Sequence, residues 1–129
     1  DGECVMYEDL IGVPFMDGGR DTNGMDCWGL VRECFKRQGI AVKDYGISAY
    51  EEMKISEEMQ KERPYWEKLD EPKIGCLVLI RTEPKLWANH VGIYIGNGRF
   101  IHAYLMAGVC VSTIKRWKSH IVGYYYPRK

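Results

Sequence analysis

The stretch His90-Val91-Gly92-Ile93-Tyr94-Ile95-Gly96-Asn97-Gly98-Arg99-Phe100-Ile101-His102-Ala103 decides how this chain is read. Two runs rich in β-branched and aromatic residues flank a Gly-Asn-Gly segment, which is the pattern of a β-hairpin. Each arm carries a histidine. Strand side chains alternate between faces, so the register fixes which residues share a side. A two-residue Asn97-Gly98 turn would set Ile93 against His102 and separate the histidines. A three-residue Gly96-Asn97-Gly98 loop, with Gly98 left-handed, sets Ile95 against Arg99, Ile93 against Ile101 and Val91 against Ala103. That face is almost wholly apolar. The other carries His90, Gly92, Tyr94, Phe100, His102 and Tyr104. Burial favours the second register because it segregates apolar from polar residues. It leaves the histidines as diagonal neighbours about 7–8 Å apart at the backbone, with Gly92 beside them leaving room for a ring.

Upstream lies Asp26-Cys27-Trp28-Gly29-Leu30-Val31. Asp26 is a good helix N-cap and Gly39 a good stop. Between them Cys27, Leu30, Val31, Cys34 and Phe35 recur at helical spacing, which predicts a helix over Cys27 to Gln38. The preceding segment, Val13 to Gly24, is a Gly-rich loop. A cysteine at a helix N-terminus meets unpaired N–H groups and the positive end of the dipole, both of which favour a thiolate. A histidine base and a second group that orients it complete the requirements of a thiol nucleophile. Cys27, His90 and His102 are therefore the candidate catalytic residues. His90 is read as the base and His102 as its orienting partner. Backbone N–H groups at the helix start are candidate oxyanion donors.

The remainder of the chain bounds this reading. Its 129 residues suit one domain over 1–129, and 46% of them are apolar, a globular composition. The 18 basic residues balance the 18 acidic ones, so no global field draws the chain to nucleic acid or an anionic membrane. No apolar run approaches the roughly 20 residues of a membrane helix. No signal peptide is visible, which points to synthesis in the cytoplasm. The five cysteines are odd in number and scattered, unlike a disulfide framework; Cys34, Cys76 and Cys110 read as small core residues. Cys27, His90 and His102 could also be read as three zinc ligands, but no closely spaced ligand pair supports that, so neither metal nor cofactor is expected. His120 reads as exposed, and Tyr124-Tyr125-Tyr126 as strand.

Further elements are expected as a short helix from Glu3 to Ile11 and a polar helix from Ser48 to about Lys61. The latter would open on a Ser48/Glu51 capping box. Five strands are expected: Cys76–Arg81, His90–Ile95, Arg99–Tyr104, Val109–Thr113 and Ile121–Tyr126. Helices followed by sequential strands predict an α+β fold, with N-terminal helices packed on an antiparallel sheet of about five strands.

At these residues the chain resembles the NlpC/P60 family of papain-like cysteine peptidases of bacterial cell walls. The family pattern is a Gly-rich loop, Asp-Cys-Ser-Gly-Phe/Leu-Val, Gly-Asp-Leu-Val-Leu-Phe, His-Val-Gly-Ile-Tyr-Ile-Gly, and a hydrophobic-His-Ala ending. Here these correspond to Gly18-Gly19, Asp26 to Val31, Gly75 to Ile80, His90 to Gly96, and Ile101-His102-Ala103. The resemblance implies Cys27 as nucleophile, His90 as base and His102 as third residue. It also implies hydrolysis of γ-D-glutamyl bonds to diaminopimelate or lysine in peptidoglycan stem peptides. Three positions depart from the pattern. Phe15 stands where a tyrosine hydroxyl usually helps bind the oxyanion. Trp28 replaces a serine that shapes the pocket for the substrate's amine, a group that Asp26 could still pair with. Cys76 replaces an aspartate. Phe15, Asp26 and Trp28 are thus the expected substrate-binding positions. The Asp-Cys-Trp-Gly-Leu-Val form looks most like phage tail-associated members. No wall-binding SH3-like segment is evident, so tail or other assembly proteins are the expected partners for targeting. The rival expectations are a catalytically weakened binding or structural module of such an assembly, and a transpeptidase or amidase on another substrate.

Overall fold

A computed structural model describes residues 7–128. The helix expected over Glu3 to Ile11 lies partly outside these residues, as does Cys4; within them, residues 7–10 form one 3-10 turn. The Gly-rich loop carries a small hairpin of β1 (Arg20–Asp21) and β2 (Gly24–Met25). It feeds directly into α1 (Cys27–Arg37), which ends on Gln38 and turns out through Gly39 at φ 81°. Leu30, Val31, Cys34 and Phe35 form its buried stripe, as their spacing predicts.

The second helix, α2, spans Glu52–Glu62 and starts later than expected. Ser48 does not cap it. Its Oγ donates to Asp17 Oδ2 at 2.6 Å, and the Ala49 N–H donates to Asp17 Oδ1 at 2.6 Å. Asp17 thus holds residues 48–49 as a docked loop, and the first helical turn forms only beyond it. The charges of α2 lie mostly in solvent, as expected, while Ser56 is buried and its Oγ accepts from the Trp87 N–H at 3.1 Å.

The main sheet has six strands rather than five, in the order β3-β8-β4-β5-β6-β7, all antiparallel. They are β3 (Trp66–Leu69), β4 (Leu77–Ile80), β5 (His90–Gly96), β6 (Arg99–Tyr104), β7 (Gly108–Thr113) and β8 (Ile121–Pro127). A short α3 (Ile114–Trp117) leads from β7 towards β8. The unexpected strand is β3, whose Trp-Glu-Lys-Leu sequence is half-exposed and gives little alternation signal. The fold is α+β with an antiparallel sheet, as the element order predicted.

The sheet is covered on both faces. Leu77, Leu79, Val91, Ile93, Ile101, Val109 and Tyr125 pack with the α1 stripe into the main core. Val78, Ile80 and Phe100 point the other way and pack with Tyr94, Trp117 and Tyr124. Cys34 and Cys76 are buried as expected, but Cys110 is only half-buried, and all three are free thiols.

The β5–β6 register is the expected one, reached by different means. Ile93 pairs with Ile101 and Tyr94 with Phe100, but Gly96, not Ile95, faces Arg99. Asn97 at φ 54° and Gly98 at φ 71° form a two-residue turn of the I′ kind. Ile95 is then an extra residue on β5, a β-bulge. The preferred tight turn is kept, and the bulge shifts everything upstream by one position. That shift brings His90 onto the face of His102.

Candidate active site

The site begins at the N-terminus of α1. Asp26 is almost fully buried and caps the helix, its Oδ1 accepting from the Gly29 N–H at 2.8 Å. The Gly18 N–H donates to its Oδ2 at 3.0 Å, and Arg20 Nη1 donates to Oδ1 at 2.7 Å. Arg20 is anchored in turn by Asp44, through Nε at 3.0 Å and Nη2 at 2.9 Å. The Arg20 guanidinium holds Asp44 down to about 2. Both Asp26 oxygens are therefore engaged in tying the Gly-rich loop to the helix start, and a substrate amine would have to compete with them. Gly29 permits this closeness, because a Cβ there would collide with the Gly19 carbonyl.

Cys27 is the first residue of α1 and is half-buried. Its thiol is pushed up to about 12, by burial first and then by the Asp26 carboxylate; the N–H groups of Val91 and Trp28 and its own act the other way. This reverses the expectation of a lowered thiol pKa. Helix-end donors are present, but they do not outweigh the loss of water and a neighbouring anion. The resting thiol is neutral. The Cys27 and Trp28 N–H groups precede the first i→i−4 bond, Leu30 N–H to Asp26 O at 3.1 Å, and are therefore available as donors.

His90 opens β5 and His102 lies within β6. Their rings share a face and meet: His90 Nε2 is 2.8 Å from His102 Nδ1. A Cβ at Gly92 would come within 3.1 Å of His102 Cβ and 2.8 Å of the Ile101 carbonyl, so only glycine fits beside the pair. His102 is wholly buried among Phe100, Tyr104 and Trp117, with ring centroids at 4.7, 5.7 and 5.1 Å. Burial lowers His102 to about 4. Burial, then the charge of His102, lowers His90 to about 3. Both rings rest neutral. Beyond His102 the chain of bonds continues to Ser112 on β7, whose Oγ lies 2.9 Å from His102 Nε2. Sequence reading missed Ser112. The signal was the alternation of Val109 and Val111 with Cys110 and Ser112, which puts the latter two on the histidine face once β7 is paired with β6.

Val91 sends its side chain into the α1-side core, so His90 projects from the opposite face. The Cys27 sulfur meets β5 at the Val91 amide, one residue along from His90. Among the described residues no hydrogen bond joins the thiol to a His90 nitrogen. Catalytic hydrogen bonds are often long before substrate arrives.

Cys27 borders an open groove of about 810 Å³, its solvent-facing part included, beneath α2. Trp28, Tyr45, Met59, Trp66 and Trp87 give it an apolar floor; Glu58, Glu62 and Arg63 add charge. Trp28 is fixed by its Nε1 donating to Lys43 O at 2.7 Å and by packing on Tyr45 and Trp66. Phe15 bridges to Met25 and packs against the core without offering a hydroxyl. His120 is exposed, as expected. Among the described residues no His/Cys/Asp/Glu group is arranged to hold a metal, and no helix is long and apolar enough to cross a membrane.

The chain is 33% identical over 115 residues to the murein DD-endopeptidase/murein LD-carboxypeptidase MepS of Escherichia coli K12, covering 87% of this chain and 54% of that protein. It is 32% identical over 96 residues to a γ-D-glutamyl-L-lysine dipeptidyl-peptidase of Bacillus subtilis, covering 73% of this chain and 28% of that one. The chain thus spans about half the length of MepS and less of the second relative. The NlpC/p60 domain of the peptidoglycan hydrolase SagA superimposes with a TM-score of 0.64 at 22% identity, covering 98% of this chain and 97% of the domain. The NlpC/P60 family model matches residues 12–125, and the chain belongs to the NlpC/P60 family.

Proposed function

We propose that this domain is a cysteine peptidase that hydrolyses γ-D-glutamyl bonds to diaminopimelate or lysine in peptidoglycan stem peptides. The carrying observation is the 2.8 Å bond between His90 and His102, one residue from the amide that the Cys27 sulfur meets. The names of the relatives, a murein endopeptidase and a γ-D-glutamyl-L-lysine peptidase, support the substrate class.

In this reading the resting pair is neutral thiol and neutral imidazole. As the sulfur approaches the scissile carbonyl, His90 takes its proton through Nδ1, since Nε2 is engaged by His102. Charge separates only as the S–C bond forms. The N–H groups of Cys27 and Trp28 receive the oxyanion. The proton on His90 then passes to the leaving amine, and water, deprotonated by the same ring, clears the thioester. Asp26 acts by holding the loop and the helix start together. Trp28 shapes the groove beside Cys27. Incubation with defined stem peptides, read by mass spectrometry, tests this. Cleavage on the carboxyl side of D-Glu by the parent and none by Cys27→Ala is expected; cleavage by Cys27→Ala would end the assignment.

The second reading is a weakened module that holds wall fragments within a phage tail. It draws on the missing hydroxyl at Phe15 and on the engagement of Asp26. Muropeptide binding without turnover by the parent would favour it.

A further inference from the structure

We propose that Ser112 is a positioning residue whose Oγ, by accepting from His102, sets the protonation pattern that makes His90 a base; this rests on the catalytic reading above. A neutral imidazole carries one N–H and one lone pair. The chain His90 Nε2–His102 Nδ1–His102 Nε2–Ser112 Oγ, at 2.8 and 2.9 Å, can be satisfied in two ways. In one, Ser112 donates to His102 Nε2, His102 Nδ1–H donates to His90 Nε2, and the remaining proton of His90 occupies Nδ1. That ring has no lone pair for the thiol. In the other, His90 Nε2–H donates to His102 Nδ1, His102 Nε2–H donates to Ser112 Oγ, and His90 Nδ1 is bare.

The imidazolium formed during the reaction removes the choice. Charged His90 has N–H at both nitrogens, so Nε2 must donate. His102 must then accept through Nδ1 and keep its own proton on Nε2. His102 is wholly buried among aromatic rings, and Ser112 Oγ is the acceptor in contact with that N–H. Ser112 stands on β7 and is only partly buried, so its own hydroxyl proton can turn to solvent while the lone pair accepts. Without the hydroxyl, His102 either buries an unpaired N–H or moves its proton to Nδ1, where it opposes the N–H of charged His90. Each course disfavours the imidazolium, and a buried unpaired donor corresponds to a loss on the order of 10-fold.

The test compares Ser112→Thr, which keeps the hydroxyl, with Ser112→Val, which has the same shape without it. Four quantities are read: the 15N tautomer of His102, the rate of Cys27 alkylation by iodoacetamide at neutral pH, and kcat and KM on a γ-D-glutamyl peptide. His102 should be the Nε2–H tautomer in the parent and in Ser112→Thr. Ser112→Val should show a mixed or reversed tautomer, alkylation and kcat lower by about 10-fold, and an unchanged KM. A parent His102 protonated on Nδ1, or Ser112→Val reacting as fast as Ser112→Thr, would overturn the proposal. Absence of peptide cleavage by the parent would instead count against the proposed activity, while the tautomer and the alkylation rate would still decide the role of Ser112.

Discussion

Asp26 shows how one carboxylate holds a site together. It caps α1, receives the Gly18 N–H and pairs with Arg20, all within 3.0 Å. Asp26→Ala removes a cap, worth about 1 kcal/mol, and strips Arg20 of one of its two carboxylate partners. A loss of at least ~1–2 kcal/mol in urea denaturation is expected, together with faster proteolysis of the Gly18–Gly24 loop. Unchanged stability would show that the loop is held by other contacts. Legibility at this scale was uneven. The cap and the two histidines could be read because residue type and spacing name them. The thiol's raised pKa could not. It depends on how closely the groove walls exclude water around Cys27, and that is a tertiary fact. Ser112 was illegible because one hydroxyl on a strand gains meaning only when β7 lies beside β6.

Among the elements, the β5–β6 hairpin carries the strongest constraint. Gly92 leaves room beside His102, and a methyl there would press on the Ile101 carbonyl and Phe100. Gly92→Ala should cost about 1–3 kcal/mol and lengthen the His90–His102 bond, visible as altered 15N coupling between the rings. Native stability with an intact ring pair would contradict this. The Ile95 bulge makes a second prediction. Deleting Ile95 removes the surplus residue and leaves a continuous ladder behind the Asn97-Gly98 turn, with Tyr94 still opposite Phe100 and Ile93 opposite Ile101. Val91 and Ile93 would keep to the core and His90 would stay beside His102, so a preserved His–His contact is expected, with Tm lowered by the loss of the buried Ile95 side chain. A deletion variant that lost the His–His contact would show that Ile95 is not the residue the register absorbs. The hydrophobic alternation made the faces legible without revealing the turn. Burial dictates which side a residue takes, whereas a tight turn with a bulge and a longer loop satisfy that demand equally. Strand β3 was illegible for the opposite reason: with little buried on either face, its pairing with β8 leaves almost no periodic trace.

For the whole molecule, the two buried imidazoles set how folding responds to acid. Both have lowered pKa values in the folded state, about 3 for His90 and about 4 for His102, against an ordinary 6.5. Between those limits the unfolded chain binds more protons, so stability rises with pH across the window. The contribution is complete above about 6.5 and drains away as pH falls towards 4 and 3. Urea midpoints measured from pH 7 to pH 4 should therefore fall, and His102→Asn should flatten the slope. A parent midpoint independent of pH over that range would refute neutral burial of the rings. The α+β class was legible, because helix and strand periods differ along the chain, although β3, α3 and the β1–β2 hairpin were not. The division of labour between the two sheet faces was not.

That division has a mechanical consequence. The sulfur is carried by the helix layer and reaches the Val91 amide of β5, while the imidazoles pack against Trp117 on the other side of the sheet. On the proposed mechanism, the thickness of the apolar filling between α1 and β5 acts as a gauge block that spaces the Cys27 sulfur from His90. Trimming Leu30 or Ile93, neither of which touches solvent, would on that reading move the sulfur relative to the ring as well as cost about 2–5 kcal/mol.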